Sequence, residues 1–308
     1  MSLHVAVCIV GFRNPGDVAR CLAALEASTW PDFEAVICEN GGADAYAAHT
    51  GATPARLAGG QAVTIIDAGG NLGFAGGVNR CLRQAASADA WWILNPDTEP
   101  HRGALDALVA RLQQGDCEAV GGKLHWSDGR IQAYGGLWRP WLARAVSLGL
   151  GAPREADVDA AAIERRQNYL NGASMLVGRR LLETVGPMRE DYFLYGEEVE
   201  WCVRARRRGM RLGFAPRAKV FHGHGTTTGA GMAKTRQPRL PIYLGERNKM
   251  LLTRDLFAAR LPVAAVAALA LLSLRYLGRG AWRQFGYALA GWWAGLRGRR
   301  GPPPDAAG

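Results

Sequence analysis

The sequence predicts an α/β protein with a mostly parallel central sheet flanked by helices, followed by amphipathic helices at the C-terminus. Over residues 1–125, short apolar runs alternate with amphipathic segments, which is the pattern of βαβ units. Over the last fifty residues, apolar, aromatic and arginine-rich segments follow one another, and no acid occurs from 261 to 300. With 308 residues, 48% of them hydrophobic, the chain can bury a core of ordinary size.

The first strands are predicted where continuous apolar runs occur, at residues 5–12, 34–38, 63–66, 90–94 and 119–124. Helices are predicted between them by apolar residues at helical spacing, at residues 15–27, 78–86 and 102–113. Ligands of such sheets bind beyond the carboxyl ends of the strands. Polar residues cluster at these ends, at Arg13-Asn14, Glu39-Asn40, 67–71 and 95–97. We therefore expect the functional site at that edge.

The middle of the chain, residues 125–168, is less regular and rich in Gly, Trp and Arg. We interpret it as an insertion or a flexible loop over the site. The regular pattern then resumes with a strand at 174–177, helices at 179–185 and 197–207, and a strand at 211–215. No internal repeat occurs.

The formal charge of +10 favours anionic partners, namely nucleotide phosphates, anionic lipid or nucleic acid. Nucleic acid is disfavoured because the arginines concentrate in the C-terminal tail beside aliphatic residues and tryptophans. The six cysteines include no CxxC pair, and Cys8 and Cys38 lie within apolar runs, as expected of core residues in a reducing compartment. The N-terminus lacks the basic start and cleavage site of a signal peptide, so a cytoplasmic location is expected.

The C-terminal segment has the features of helices that lie on a membrane. Its apolar stretch, residues 261–274, is shorter than the roughly 20 residues that a spanning helix needs. Arg275, Arg279 and Arg283 follow on one helical face, together with aromatic residues. We expect binding to an anionic bilayer interface on the inner face of the cell membrane; an ordinary packed helical pair is the alternative. The predicted division is a catalytic-type domain at 1–250 and a membrane-proximal helical segment at 251–308.

Asp97 directly follows an apolar strand and a proline that ends it. A carboxylate at a strand end can hold Mg²⁺ or Mn²⁺, which bind through one or two carboxylates plus substrate phosphates. Glu99 completes an Asp-x-Glu pair. The alternative is that Asp97 or Thr98 caps the helix predicted near Arg102, with Glu99 as a solvated acid of its first turn.

The glycine-rich segment from Gly69 to Asn79 can let a ligand approach the backbone, and the following helix offers free N–H groups to an anion. It is not a GxGxxG motif, because Asn71 stands where a glycine is needed. A tight strand-to-helix turn is the alternative interpretation.

Glu197 and Glu198 begin a predicted helix, where a positioned carboxylate can accept a proton from an attacking hydroxyl. Helical geometry separates the two side chains by about 100°, so only one should point into a given cleft. Favourable placement of acids at a helix N-terminus is the alternative. His222 and His224 end an apolar run and can ligate a metal or contact phosphate.

In this order and spacing, these segments resemble the family 2 glycosyltransferases, in particular the rhamnosyltransferase-like branch. The resemblance rests on residues 7–14, 36–40, 71–79, 94–98, 171–177, 193–204, 222–227 and 243–248. It implies a GT-A fold, a nucleotide-diphosphate sugar donor, a divalent metal, Mg²⁺ or Mn²⁺, and inversion at the anomeric carbon.

Carried over by position, the resemblance implies a metal site with Asp97, with Glu99 beside it and His222 on the metal or donor side. It implies that Glu198, or its rival Glu197, is the catalytic base, although Glu198 stands where the family usually has aspartate. The residues implied to bind the donor are Arg13, Asn14, Glu39, Asn71, Gly73, Asn79 and Asn95.

The predicted function is transfer of a sugar, with rhamnose as the candidate, to a hydroxyl of a glycan or lipid-linked acceptor in cell-envelope polysaccharide synthesis. One alternative is a nucleotidyltransferase that forms nucleotide-sugars, which would favour a basic, glycine-rich triphosphate loop near the N-terminus; the sequence has none. The other is a non-catalytic protein of the same fold that binds the membrane surface.

Overall fold

The computed structural model describes residues 3–223, 229 and 232–303. The described residues form eleven strands, which are interspersed with helices along the chain. They are β1 (Val5–Gly11), β2 (Phe33–Glu39), β3 (Val63–Asp67), β4 (Ala90–Leu94), β5 (Thr98–Pro100), β6 (Ala119–His125), β7 (Ile131–Ala133), β8 (Gly136–Arg139), β9 (Arg144–Ser147), β10 (Ser174–Gly178) and β11 (Leu212–His222).

The α-helices of the described residues lie between the strands up to β11 and then follow one another at the C-terminus. They are α1 (Pro15–Glu26), α2 (Ala43–Ala52), α3 (Gly73–Gln84), α4 (Ala104–Leu112), α5 (Ala160–Arg166), α6 (Arg179–Val185), α7 (Glu197–Arg207), α8 (Arg239–Phe257), α9 (Leu261–Tyr276) and α10 (Trp282–Leu296).

The central sheet has the order β3-β2-β1-β4-β10-β6-β11-β5, with β7 paired to β6. The pairs from β3 to β4 are all parallel, as is β6 with β11, whereas β10 is antiparallel to both of its neighbours. The prediction of a mostly parallel sheet flanked by helices is therefore confirmed.

The sheet is buried on both faces. In β1, Ala6, Cys8 and Val10 pack into one apolar cluster, and Val7 and Ile9 pack into a second cluster on the other face. This alternation follows from the two-residue period of a strand and explains the continuous apolar runs. All six cysteines are free and buried, which fits their expected role as small core residues.

Residues 125–168 do not form the loop that we expected. They contribute β7 to the sheet, the antiparallel hairpin of β8 and β9, and α5, whose N-terminus is capped by Asp159. Their apolar side chains build a small core with the sheet, in which Ile131, Tyr134 and Ile163 pack with Phe214. The segment is ordered because it has a core of its own, which a search for long periodic runs does not detect.

Three boundaries near the site also differ from prediction. Thr98 begins strand β5, which pairs with β11, so the interpretation of Asp97 or Thr98 as a helix cap is wrong. Helix α3 begins at Gly73 rather than at residue 78, and α2 was not predicted. Strand β11 continues to His222, well beyond the predicted end at residue 215.

The C-terminal helices pack against one another and against the sheet domain. Gly291 and Gly295 let α10 approach α8 closely, since a Cβ at either would collide with the carbonyl oxygen of Tyr243 or Arg247.

The predicted division at residue 250 stays a prediction, and α8 runs through it. The helical run Arg239–Arg279, with 41 residues and an 18-residue window of mean hydropathy 2.0, is long and apolar enough to cross a membrane by length and composition. The segment 261–274 alone did not meet that requirement.

Candidate active site

Asp97 and His222 lie side by side at the edge of the sheet. The antiparallel ladder of β5 and β11 sets His222 opposite Thr98, and the Gly223 N–H donates to the Asp97 carbonyl at 2.8 Å. As a result, His222 Nε2 lies 3.4 Å from Asp97 Oδ1, and both side chains are more than nine-tenths buried. The sequence predicted both residues for one metal site, and the structure brings them together although they are far apart in the chain.

Gln132 fixes the orientation of His222. The Gln132 amide nitrogen donates to the His222 carbonyl oxygen at 2.6 Å, so its Oε1 is the atom that faces His222 Nδ1, at 2.9 Å. Because Oε1 can only accept, Nδ1 carries the proton of the neutral imidazole and Nε2 carries the lone pair. That lone pair points to the side of Asp97 and of Asn95, whose Nδ2 is 3.4 Å away.

The pair fits a divalent cation. A carboxylate oxygen and an imidazole nitrogen in this position supply two ligands, which leaves the remaining positions to substrate phosphates and water, as is usual for Mg²⁺ and Mn²⁺. Hydrogen bonding of the other ring nitrogen is how metal-binding histidines are commonly held. Gln132 lies in the segment that we expected to be a loop, and its sequence context gave no signal for this role.

Glu99 is not part of this site, contrary to the sequence prediction. It faces Phe221 in the ladder, one position from the His222–Thr98 pair, so its side chain leaves the opposite face of the strand. It is about half exposed and lies 4.0 Å from Arg20. Among the described residues, no three His, Cys, Asp or Glu side chains form a metal-binding group.

Glu39 ends β2, as predicted, but its carboxylate is fully buried and turned inward. It accepts the backbone N–H of Arg13 at 3.0 Å and of Gly41 at 2.6 Å, and His49 Nδ1 lies 2.7 Å from its second oxygen. Burial alone would raise the pKa of Glu39, but His49 and the two N–H donors lower it below its ordinary value. Glu39 thus holds the turns after β1 and β2 together from the interior. The sequence gave no indication that His49 takes part.

Arg13 and Asn14 occupy the turn after β1. Arg13 adopts a left-handed conformation with φ of 54°, which its hydrogen bond to Glu39 holds in place, and its side chain is exposed at the end of the strand. Asn14 Oδ1 accepts the N–H of Phe12 at 2.9 Å, just before α1. Arg13 is therefore available to a ligand at the predicted edge.

The glycine-rich segment is a close-packed turn. Asn71 Oδ1 accepts the Gly73 N–H at 3.1 Å, and Gly73 has φ of +72°. A Cβ at Gly73 would collide with the Phe193 carbonyl oxygen, which instead accepts the Phe74 N–H at 2.8 Å. The turn therefore lies against the loop that precedes the glutamate pair, and Gly73 is required there by packing.

Asn79 does not face the site, contrary to the sequence prediction. It is buried, and its amide donates to the Met188 carbonyl and to Glu190 at 2.9 Å and accepts the Met188 N–H at 3.1 Å. Because α3 starts at Gly73, Asn79 lies in its second turn and ties the helix to the segment before α7.

The loop before Glu197 is held in a strained conformation. Phe193 and Tyr195 have φ of 68° and 76°, a region that costs a residue other than glycine about 1–3 kcal/mol. Asn248 Nδ2 donates to the carbonyls of Leu194 and Tyr195 at 2.8 and 2.7 Å and also faces the Tyr192 carbonyl. Asn248, at the end of one of the resembling motifs, thus positions the start of α7.

The two glutamates have different surroundings. Glu197 is buried toward Arg247, whereas Glu198 lines a cavity of about 340 Å³ between α7 and α8 and accepts the Gly196 N–H at 3.1 Å. Burial raises the pKa of Glu197 to about 8, with the charge of Glu198 adding to the effect, and burial also raises the pKa of Glu198. Only Glu198 is directed into an open volume, as the helical spacing required.

A short path of backbone joins Glu198 to the Asp97–His222 pair. The Cα of Gly172 packs on the Glu198 side chain, so that a Cβ there would lie 3.4 Å from Glu198 Cβ. The next residue, Ala173, accepts the Asn95 N–H at 3.0 Å, two residues before Asp97. The 340 Å³ cavity is on the Glu198 side of this path, and Asp97 is not among its lining residues. His224 lies outside the described residues.

The fold and this arrangement define a GT-A glycosyltransferase. Residues 3–239 match the family described as glycosyltransferase like family 2. The chain belongs to the family 2 glycosyltransferases, as the sequence predicted.

Two curated relatives support the rhamnosyltransferase-like branch. The low-salt glycan biosynthesis hexosyltransferase Agl10 of Haloferax volcanii is 24% identical over 201 residues, which are 64% of this chain and 62% of that protein. The N-acetylglucosaminyl-diphospho-decaprenol L-rhamnosyltransferase of Mycobacterium tuberculosis is 28% identical over 259 residues, which are 76% of this chain and 82% of that protein.

Solved structures share the fold. The mannosyltransferase PcManGT of Pyrobaculum calidifontis, in complex with GDP-Man and Mn²⁺, superposes with a TM-score of 0.57 at 16% identity, over 96% of this chain and 88% of that one. TarS of S. aureus, residues 1–349, superposes with a TM-score of 0.54 at 12% identity, over 96% of this chain and 92% of that one. These similarities confirm the GT-A architecture.

Proposed function

We propose that this protein is an inverting, metal-dependent glycosyltransferase that moves a hexose or deoxyhexose from a nucleotide-diphosphate donor to a hydroxyl of a glycan or lipid-linked acceptor. The observation that carries the proposal is the contact of Asp97 with His222, whose ring is oriented by Gln132. Rhamnose is the candidate sugar, and the mycobacterial relative, named for a diphospho-decaprenol acceptor, supports both the sugar and the acceptor class.

Asp97 and His222 are the proposed ligands of Mg²⁺ or Mn²⁺, and a cation bound there would neutralise charge on the diphosphate leaving group. Asn95 lies beside this pair, and the exposed side chain of Arg13 stands at the same edge of the sheet. We assign these residues, with the turn at Asn71, to the donor side. Glu39 supports the surface from below and is not assigned a contact with the donor.

Glu198 is the proposed base. It removes the proton of the acceptor hydroxyl while the hydroxyl oxygen bonds to C1 of the sugar. The bond between C1 and the diphosphate oxygen breaks, and the nucleoside diphosphate leaves with the electron pair. One displacement of this kind inverts C1. Glu197 is buried and does not line the cavity, so it is poorly placed to accept the proton of an acceptor hydroxyl.

The outer faces of the C-terminal helices support a peripheral position on an anionic inner membrane face, where cell-envelope polysaccharide is made. Val266 and Leu274 of α9 and Trp282 of α10 are each about 70% exposed, and arginines flank them. A spanning helix is less well supported, because α8 is buried against the domain and α9 alone has only 16 residues.

A thermal-shift panel of nucleotide-sugars, with and without Mn²⁺, tests the proposal, because a ligand that binds only the folded state raises the melting temperature. One donor should stabilise the protein, and the effect should depend on Mn²⁺. If no donor in the panel raises the melting temperature, the proposal is overturned. Release of nucleoside diphosphate on addition of acceptor then separates an enzyme from a binding protein of the same fold. Synthesis of nucleotide-sugar from a nucleoside triphosphate would instead indicate a nucleotidyltransferase.

A further inference from the structure

The cavity that Glu198 lines is also lined by three cationic side chains. Lys234, Lys249 and Arg275 line it together, and they come from the segment before α8, from α8 itself and from the end of α9. The volume of about 340 Å³ suits a small polar group, and residues of α8 and α9 form part of the cavity wall.

The cations of this cavity are only partly neutralised. Glu246 Oε1 lies 2.7 Å from Lys249 Nζ and 3.3 Å from Arg275 Nη1, so one carboxylate serves two cations. Among the described residues, no carboxylate lies within 4.0 Å of the Lys234 ammonium; its charged neighbours are mainly Arg275 and Lys249. Burial, followed by these like charges, lowers the pKa of Lys234. A site with this excess of positive charge favours an anion.

An apolar stripe on the exposed side of α9 lies next to these cations in the sequence. Val263, Val266, Ala270 and Leu274 follow one another at helical spacing on the exposed side of the helix. Leu274 directly precedes Arg275, so the stripe reaches the rim of the cavity. From Val263 to Leu274 it extends about 16 Å, which is long enough to lie along several isoprene units of a lipid.

We propose that this cavity is the acceptor subsite for a phosphate or diphosphate that links the acceptor sugar to a hydrocarbon chain. Lys234, Lys249 and Arg275 bind the phosphate oxygens, the sugar reaches Glu198, and the chain leaves along the α9 stripe. The inference rests on the proposed function and adds the group by which the acceptor is recognised and the residues that recognise it. Charge-assisted hydrogen bonds from three cations suit a diphosphate particularly well.

The turnover experiment compares two acceptors with the same sugar and the same alkyl chain, one with a diphosphate between them and one without. The wild type should have a KM at least about tenfold lower for the diphosphate acceptor, since each charge-assisted contact is worth about tenfold in affinity. Lys234→Met and Arg275→Met should each reduce this ratio several-fold. Arg165→Met, which removes an exposed arginine of α5 outside the cavity, should keep it.

A binding experiment tests the subsite without turnover. In EDTA, with no divalent cation present, calorimetry measures a short isoprenyl diphosphate and inorganic pyrophosphate against the wild type and the same variants. Binding of both, weakened by Lys234→Met but not by Arg165→Met, supports recognition of the diphosphate, and tighter binding of the isoprenyl compound supports the α9 path. No binding, or equal loss in the control variant, overturns the inference. If binding follows the expected pattern but no transfer is found with any donor, the proposed function fails and the anion site stands.

Discussion

Gln132 and His222 hold each other through two hydrogen bonds, from the Gln132 amide to the His222 carbonyl and from His222 Nδ1 to Gln132 Oε1. The second bond leaves Nε2 facing Asp97 at 3.4 Å. Gln132 touches neither the proposed cation nor the donor, yet it decides which nitrogen of the histidine is available. It is a positioning residue, and its removal should be visible in metal dependence.

Gln132→Leu should raise the Mn²⁺ concentration needed for half-maximal activity by about tenfold or more, because outer-shell partners of metal ligands are typically worth 10–100-fold. Turnover at saturating Mn²⁺ should fall less. Gln132→Glu keeps an acceptor for Nδ1–H and should recover part of the affinity. A metal titration of activity measures both. An unchanged Mn²⁺ requirement in Gln132→Leu would contradict the role.

Glu198→Gln should reduce kcat by orders of magnitude, because the proposed base can no longer accept the hydroxyl proton. Glu197→Gln should cost far less, since that side chain is buried toward Arg247 and does not face the cavity. Donor binding, followed by thermal shift, should persist in both variants and serves as the control for folding. A larger loss in Glu197→Gln than in Glu198→Gln would exchange the two assignments.

The stability of the protein should depend on pH through Glu197. Its pKa is raised from 4.5 to about 8 in the folded state, mainly by burial, so the folded state binds more protons than the unfolded state between these values. The wild type should therefore lose stability as the pH rises from about 4.5 to 8, whereas Glu197→Gln lacks this loss. The difference in melting temperature in favour of the variant should grow over that window. A constant difference across the window would refute the assigned surroundings of Glu197.

The stability of the protein should depend on the N–H groups of the Asn248 side-chain amide. Asn248→Ala removes the amide that satisfies the carbonyls of Leu194 and Tyr195, and should lower the free energy of unfolding by about 1–3 kcal/mol. Asn248→Asp retains the shape but cannot donate, so it should be at least as destabilising. Denaturant titration measures both, and wild-type stability in Asn248→Asp would contradict the role.

The places of the strands along the chain and the position of Asp97 after a strand could be predicted because both depend on local sequence. A continuous apolar run predicts a buried strand, and the carboxyl ends of adjacent parallel strands share one edge, so Asp97 and Arg13 were expected there. The face of the sheet on which a side chain of a short strand lies depends on the strand with which that short strand pairs. Glu99 was assigned to the metal because its pairing with Phe221, more than a hundred residues away, has no local signal.

The supporting residues could not be predicted for the same reason. Gln132 and Asn248 act through contacts with segments 90 and about 54 residues away, and His49 lies in a helix that the pattern did not reveal. Asn79 was assigned to the donor by the resemblance, as the last residue of the motif at 71–79, and the helix was predicted to begin only at residue 78. The helix in fact starts at Gly73, and Asn79 is turned into the interior.

The central claim, that Asp97 holds the cation that binds the donor diphosphate, is tested most directly by the affinity for Mn²⁺. Calorimetry in the presence of a nucleoside diphosphate should show Mn²⁺ binding to the wild type, weakened at least about tenfold in Asp97→Asn, since a charged ligand is lost. Glu99→Gln, a matched change at a half-exposed carboxylate two residues away, should bind as the wild type does. Wild-type affinity in Asp97→Asn, or a selective loss in Glu99→Gln, would contradict the account.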